Sequence, residues 1–188
     1  MQLTQASSIV ERALAVTRRG GDDLYDALQA LPAPIYVTDP SGVITFFNEA
    51  CVGFAGRRPA VGKDRWCVTW KLYTEAGEFM PHDRCPMAVA IGEKREVRGG
   101  YAVAQRPDGT RVTFIPFPTP LLDSNGDLAG AINILIDVTE RRQAEELRSQ
   151  ANRCRRLAGD IGDRHTVGVL NAMADECDAK AAELDRTS

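Results

Sequence analysis

Three tetrapeptides organise the middle of the chain: Asp39-Pro40-Ser41-Gly42, Arg106-Pro107-Asp108-Gly109 and Asp123-Ser124-Asn125-Gly126. Each lies between apolar, β-prone runs. Each also carries Asp, Pro, Asn or Gly, which preset φ or accept a positive φ as a tight reversal demands, so each reads as a hairpin connection. Their flanks predict five strands, at about 34–39, 42–47, 96–106, 110–121 and 127–137. In the third, Val97, Tyr101 and Val103 alternate with polar or small residues; in the fifth, Ile132, Ile134 and Ile136 share one face and Ala131, Asn133 and Leu135 the other. Pro116, Pro118 and Pro120 cannot donate to a ladder, so the end of the fourth strand is expected to be irregular or at an edge. Residues 48–95 lack strand signals and hold short helical stretches near 49–55 and 87–91. An α+β fold follows, in which a five-stranded antiparallel sheet carries short helices on one face and encloses a space between the two layers.

With 188 residues, 44% of them hydrophobic and 26% charged, the chain supports one cored domain plus appended helices. A formal net charge of -3 supplies no broad basic field, which argues against nucleic-acid partners and against anionic membrane surfaces. The first twenty residues mix Glu11, Arg12, Arg18 and Arg19 into a weakly apolar pattern unlike a signal peptide. The longest apolar run, 128–136, is roughly half the ~20 residues a membrane helix needs. A soluble cytoplasmic protein is expected.

Two phrases go further than patterning. LPAPIYVTDPSGVITFFNEA and PLLDSNGDLAGAINILIDVTERRQAEE carry Asp39 and Gly42 in the first turn, Asn48 with Ala50 at the next helix start, Asn125-Gly126, Gly130 in the last strand, and Asp137-Val138-Thr139-Glu140-Arg141 where that strand meets a helix. With the Asp108-Gly109 turn, they closely resemble the PAS sensory domain of bacterial signalling proteins, over about residues 22–145. The resemblance implies a PAS domain at 22–138, an N-terminal helix at 1–21 and a helical extension at 139–188. It also makes the junction of Asp137, Thr139 and Glu140 the place where a change in the domain passes outward. The junction has a physical reading too: Asp137 caps the new helix and Glu140, three residues on, reaches back as a capping box.

The extension repeats in heptads. Ala144, Leu147, Ala151, Cys154 and Ala158 form a first stripe, residues 159–163 break it, and Val167, Leu170, Ala174, Cys177, Ala181 and Leu184 form a second. Two such helices can fold on each other as a hairpin, pair with a second copy as a coiled coil, or bind a partner's helix. At the other end, Leu3, Ala6, Val10, Ala13 and Val16 mark a helix ended near Gly20-Gly21, and a second runs over 22–30. The resemblance implies a leading helix that packs on the sheet and supports dimers. A homodimer is therefore expected, with Leu147, Cys154, Leu170 and Leu184 as association residues.

Chemistry of its own finds little footing. The chain lacks G-x-S-x-G, P-loop and G-x-G-x-x-G motifs, and also the ATPase and diguanylate cyclase signatures that often follow PAS domains. His165 reads as part of a helix start. The five cysteines include no C-x-x-C pair, which argues against a disulfide framework and a structural zinc site. The stretch PHDRCPM leaves alternatives open. Asp83 reads as the N-cap of a helix through 87–91, with Arg84, Cys85 and Pro86 in its first turn. That explains Asp83 and Pro86 but not His82 and Cys85. Cys85 can be a core residue, a thiolate stabilised by the helix dipole with His82 and Arg84 beside it, or, with His82, a haem ligand. Haem-binding PAS domains place their histidine within the helix and not before it, and the Asn-Cys-Arg-Phe-Leu-Gln phrase of the flavin photoreceptors is absent.

Trp66, Trp70, Tyr73 and Phe79 either close the core or line an apolar ligand cavity. The expected pocket residues are Tyr36, Trp66, Trp70, His82, Cys85, Met87 and Asn133. The resulting expectation is a stand-alone, non-enzymatic PAS sensor or adaptor, holding no cofactor or an unknown small ligand and partnering a second copy and a histidine kinase or its regulator. The alternative is a haem-bearing gas sensor or a thiol redox sensor.

Overall fold

The computed structural model describes residues 3–19 and 23–187. Gly20, Gly21 and Asp22 lie outside the described residues, as do the side chains of Leu3, Ala6 and Val16. The chain divides into two compact units, one running through Asp137 and one spanning Val138–Ser188.

The first unit opens with α1 (Leu3–Arg19) and α2 (Leu24–Gln29), followed by the hairpin of β1 (Ile35–Thr38) and β2 (Ile44–Phe47) and by α3 (Ala50–Ala55). After α3 come β3 (Lys71–Thr74), β4 (Phe79–Met80), a 3-10 turn at His82–Arg84 and α4 (Pro86–Glu93). β5 (Ala102–Gln105), β6 (Arg111–Pro116), β7 (Thr119–Leu122) and β8 (Leu128–Asp137) complete an antiparallel sheet of eight strands in the order β2-β1-β8-β6-β5-β3-β4, with β7 also on β8. The three predicted turns close in the same way. The carboxylates of Asp39, Asp108 and Asp123 each accept the backbone N–H two residues on, from Ser41, Thr110 and Asn125.

Eight strands replace the five expected. The hairpin of β3 and β4 lies inside the block read as strandless, because its turn, Thr74 to Glu78, carries only Gly77 of the residue types that mark reversals. The third strand pairs only over Ala102–Gln105, where 96–106 was expected. The fourth divides at Phe117 and Pro118, where the proline-rich run interrupts the ladder.

β8 is the axis of the sheet. β1 pairs along one edge, from Ile35 opposite Ile134 to Thr38 opposite Ala131, while β7 and β6 share the other. One face of the sheet, including Ile44, Ala104, Val112 and Phe114, packs on Phe54 from α3 and on Met87, Ala88 and Ile91 from α4. On the way to that face, Asn48 ties the entry segment down: its Oδ1 accepts Ile35 N–H at 2.9 Å and its Nδ2 donates to the carbonyls of Leu28, Leu31 and Ala33. α1 packs against α2 and β8, with Val10 and Ala13 buried.

The second unit is a helical hairpin of α5 (Thr139–Asp160) and α6 (Arg164–Thr187). Ala151, Cys154 and Ala174 are buried between the helices, with Leu170 and Cys177 against them. Arg148 pairs with Asp185, while Arg155 pairs with Asp175 and Asp178, pairings that the antiparallel register brings together. α5 runs through Gly159 and ends at Asp160, so the break falls at residues 161–163, within the expected 159–163. Asp163 then caps α6, its carboxylate accepting Thr166 N–H at 2.9 Å.

Candidate functional site

Within the mostly apolar interior of the first unit, one connected group of polar side chains spans neighbouring strands. Tyr36 on β1 is fully buried, and its hydroxyl donates to the Trp66 carbonyl oxygen at 2.9 Å. Asn133 on β8, 3% exposed, donates from Nδ2 to that hydroxyl at 3.0 Å and accepts Phe117 N–H on Oδ1 at 2.9 Å. Cys85 directs its thiol to the same Trp66 carbonyl, at 3.8 Å. Cys67 meets Thr69 Oγ1 at 3.2 Å. Burial, with Cys67 and Cys85 nearby, holds the Tyr36 phenol well above its ordinary pKa, so it stays a donor.

Trp66 owes its position to an unusual backbone. Its φ is 69°, a region costing a bulky residue about 1–3 kcal/mol. Its N–H donates to Gly42 O at 2.7 Å, and the Arg65 guanidinium sits 5.2 Å from its ring centroid. Gly42 has to be glycine: its φ is 84°, and a β-carbon there would lie 2.2 Å from the Trp66 ring.

The expected pocket residues divide. Tyr36, Cys85, Met87 and Asn133 are buried. Cys85 packs in the same cluster as Tyr36 and Met87, with the partly buried Trp66 against it. Trp70 is 52% exposed, so it does not line an interior pocket. Phe79, likewise exposed, stacks edge-on with Tyr73 on the hairpin of β3 and β4. His82 is half-buried beside Arg57 and Asp64, which form an ion pair, and burial and Arg57 push its pKa below the ordinary value.

Three readings of PHDRCPM are corrected. Asp83 does not cap the helix: it lies exposed in the 3-10 turn, and Cys85 is the N-cap of α4, with Pro86 following. Nor is Cys85 a poised thiolate. Burial first, then Cys67, pushes its thiol up to about 12, outweighing the backbone donors of Met87 and Ala88. The residues do not assemble a haem site either. His82 faces the Arg57–Asp64 pair while Cys85 lies in the core, and the space over the sheet is filled by Tyr36, Phe54, Met87 and Phe114. Among the described residues, no group of three His, Cys, Asp or Glu side chains is placed to hold a metal ion.

At the junction, Asp137 ends β8 opposite Phe114, and Thr139 and Glu140 open α5. The N-cap position falls on Val138, one residue later than the capping box required. Of the association residues, Cys154 and Leu170 belong to the hairpin's own core. Leu147 and Leu184 are half-buried on α5 and α6. Sequence reasoning missed Thr38, a residue 1% exposed whose hydroxyl is, among the described residues, the one buried side-chain oxygen or nitrogen without a hydrogen-bond partner. It also missed the burial of Cys67. Neither residue carries a sequence signal, since burial depends on strands and loops distant along the chain.

A family model described as the PAS fold matches residues 28–143. The chain belongs to the PAS family. Among solved structures, the PAS domain of the fruit-fly ELK potassium channel is similar at a TM-score of 0.50 and 11% identity, over 63% of this chain and 96% of that one. The PAS domain of Bordetella pertussis BvgS is 25% identical at a TM-score of 0.45, covering 68% and 91% of the two chains. An RNA-binding light-oxygen-voltage receptor is 24% identical at a TM-score of 0.45, over 63% of this chain, which spans 33% of the receptor's. No curated protein matches the chain significantly. No helix among the described residues of this PAS protein is long and apolar enough to cross a membrane.

Proposed function

We propose that this PAS protein is a non-enzymatic sensor or adaptor of signal transduction, acting in the cytoplasm. A small ligand or a partner protein is received by the PAS unit, and the change is relayed to the α5–α6 hairpin. The observation that supports this most directly is covalent: β8, the strand on which β1, β6 and β7 all pair, ends at Asp137, and α5 starts at Thr139 with one residue between them. A shift in sheet packing therefore meets a helix start with almost no slack. The signal has to favour one packing over the other, because equal affinity for both shifts nothing.

A ligand entering the PAS unit reaches the Tyr36 hydroxyl and the Asn133 amide only by displacing the apolar side chains packed with them, and there it competes with the hydrogen bonds these groups already make. The output is a change in self-association or in the surface that α5 and α6 offer to a histidine kinase or its regulator. Inserting one glycine between Val138 and Thr139 tests the relay, because it adds a conformationally free residue between the end of β8 and the start of α5. The expected result is loss of partner capture with an unchanged melting transition of the PAS unit. Capture at the wild-type level would overturn the relay.

A further inference from the structure

We propose that the Trp66 peptide is a two-position switch, held in its left-handed conformation by a hydrogen-bond chain that crosses the core to the break between β6 and β7. The chain is continuous. Trp66 O accepts from Tyr36 Oη at 2.9 Å, Tyr36 Oη accepts from Asn133 Nδ2 at 3.0 Å, and Asn133 Oδ1 accepts from Phe117 N–H at 2.9 Å. Every link is a side chain on a sheet strand, Tyr36 on β1 and Asn133 on β8, and the two residues face each other across the ladder.

Both ends of the chain are places where regular structure gives way. At one end stands a tryptophan with a φ of 69°, a conformation its own side chain disfavours. At the other stands Phe117, between Pro116 and Pro118, where the long strand divides into β6 and β7. Its N–H is shared between Asn133 Oδ1 and Ile134 O, both at 2.9 Å. Asn133 thus spends its carbonyl on the break and its amide on the tyrosine, and Tyr36 spends its hydrogen on Trp66. Were the Trp66 carbonyl to turn away, the buried tyrosine hydrogen would lose its acceptor and the chain would re-form in another arrangement. Turning Trp66 and loosening the break are one event.

The outer end is within reach of a signal. Trp66 is half-buried, its ring lies over Gly42, and the Arg65 side chain above it is exposed and donates to Ser41 O. The switch deepens the sensor reading by naming the path from the loop at Arg65 and Trp66 to the strands beside β8. It is tested on the protein alone, so it stands or falls whether or not a ligand or partner is found.

Trp70→Phe leaves Trp66 as the one tryptophan, since the chain has two. In that background, Tyr36→Phe is expected to shift Trp66 emission and to speed Phe117 N–H exchange by about tenfold or more. Asn133→Ala, at the far link, is expected to shift the same emission, and the double variant to go no further than either single one. Trp66 emission unchanged in Asn133→Ala, or Phe117 exchange unchanged in Tyr36→Phe, would overturn the proposal. Should either variant fail to fold, urea below the global transition replaces it on the Trp70→Phe protein. A single midpoint for Trp66 emission and Phe117 exchange is then expected, and two separate midpoints would refute the coupling.

Discussion

A β-carbon at Gly130 would stand 2.1 Å from the carbonyl oxygen of Thr38. Gly130 lies on β8 at a φ of 153°, one residue before the Ala131 that pairs with Thr38, so β1 and β8 approach here more closely than any side chain permits. Gly130→Ala has no flexible neighbour to displace, only backbone. A loss of about 3 kcal/mol is expected, seen as a lower urea midpoint at unchanged slope. A midpoint equal to that of the parent would show that the two strands separate without penalty.

Asn48 makes a second test of the entry to the sheet. Its amide serves three carbonyls and its oxygen one N–H, all buried. Asn48→Ala strands those groups and is expected to cost about 2–4 kcal/mol. Asn48→Asp keeps the shape but turns a carboxylate toward the oxygens of Leu28, Leu31 and Ala33, so its melting temperature is expected to fall below even that of the alanine variant. The reverse order would mean that shape, not hydrogen bonding, is what Asn48 supplies.

The hairpin of the second unit separates packing from charge. Cys154 and Ala174 are buried in its core, whereas Arg155 and its partner Asp175 are exposed and its partner Asp178 is half-buried at the surface. Cys154→Glu buries an unpaired carboxylate and is expected to cost about 3 kcal/mol or more, read as lost helical ellipticity and as faster tryptic cleavage at the arginines of α5. Arg155→Ala is expected to leave both unchanged, as exposed ion pairs contribute little. Equal damage from both would place the stability of the hairpin in its surface.

Legibility followed locality. The turns at Asp39, Asp108 and Asp123 were readable because the carboxylate that closes each one lies two residues from the N–H it accepts. The hairpin of β3 and β4 was not, because pairing of Tyr73 with Phe79 and with Val103 is decided by tertiary neighbours. Asp83 looked like a cap by its spacing to Met87, but the 3-10 turn at His82–Arg84 takes up the residues before the helix and passes the cap to Cys85. The site was legible in part. Tyr36 and Asn133 alternate correctly on their strands, whereas the contrast between buried Cys85 and exposed Trp70 depends on packing that no short stretch encodes. The Trp66 conformation was beyond reach, since a bulky residue at positive φ contradicts the propensity from which a sequence is read.

Alkaline pH offers the sharpest test of the corrected view of Cys85. Burial raises the pKa of Cys51, Cys67 and Cys85 in the folded protein, Cys85 from 9.0 to about 12. The unfolded chain releases these thiol protons near pH 9 while the folded chain keeps them. The folded state then binds more protons, so stability is full below about pH 9 and falls as pH rises toward the folded values. Cys85→Ala is expected to reduce the slope of stability against pH between about 9 and 12, measured by urea unfolding at several pH values, whatever it does to stability at pH 7. A thiol reagent at pH 8 is expected to modify half-buried Cys177 first and the three core cysteines only on unfolding. Modification of Cys85 ahead of Cys177, or a slope that Cys85→Ala leaves unchanged, would return Cys85 to the role of a reactive thiol.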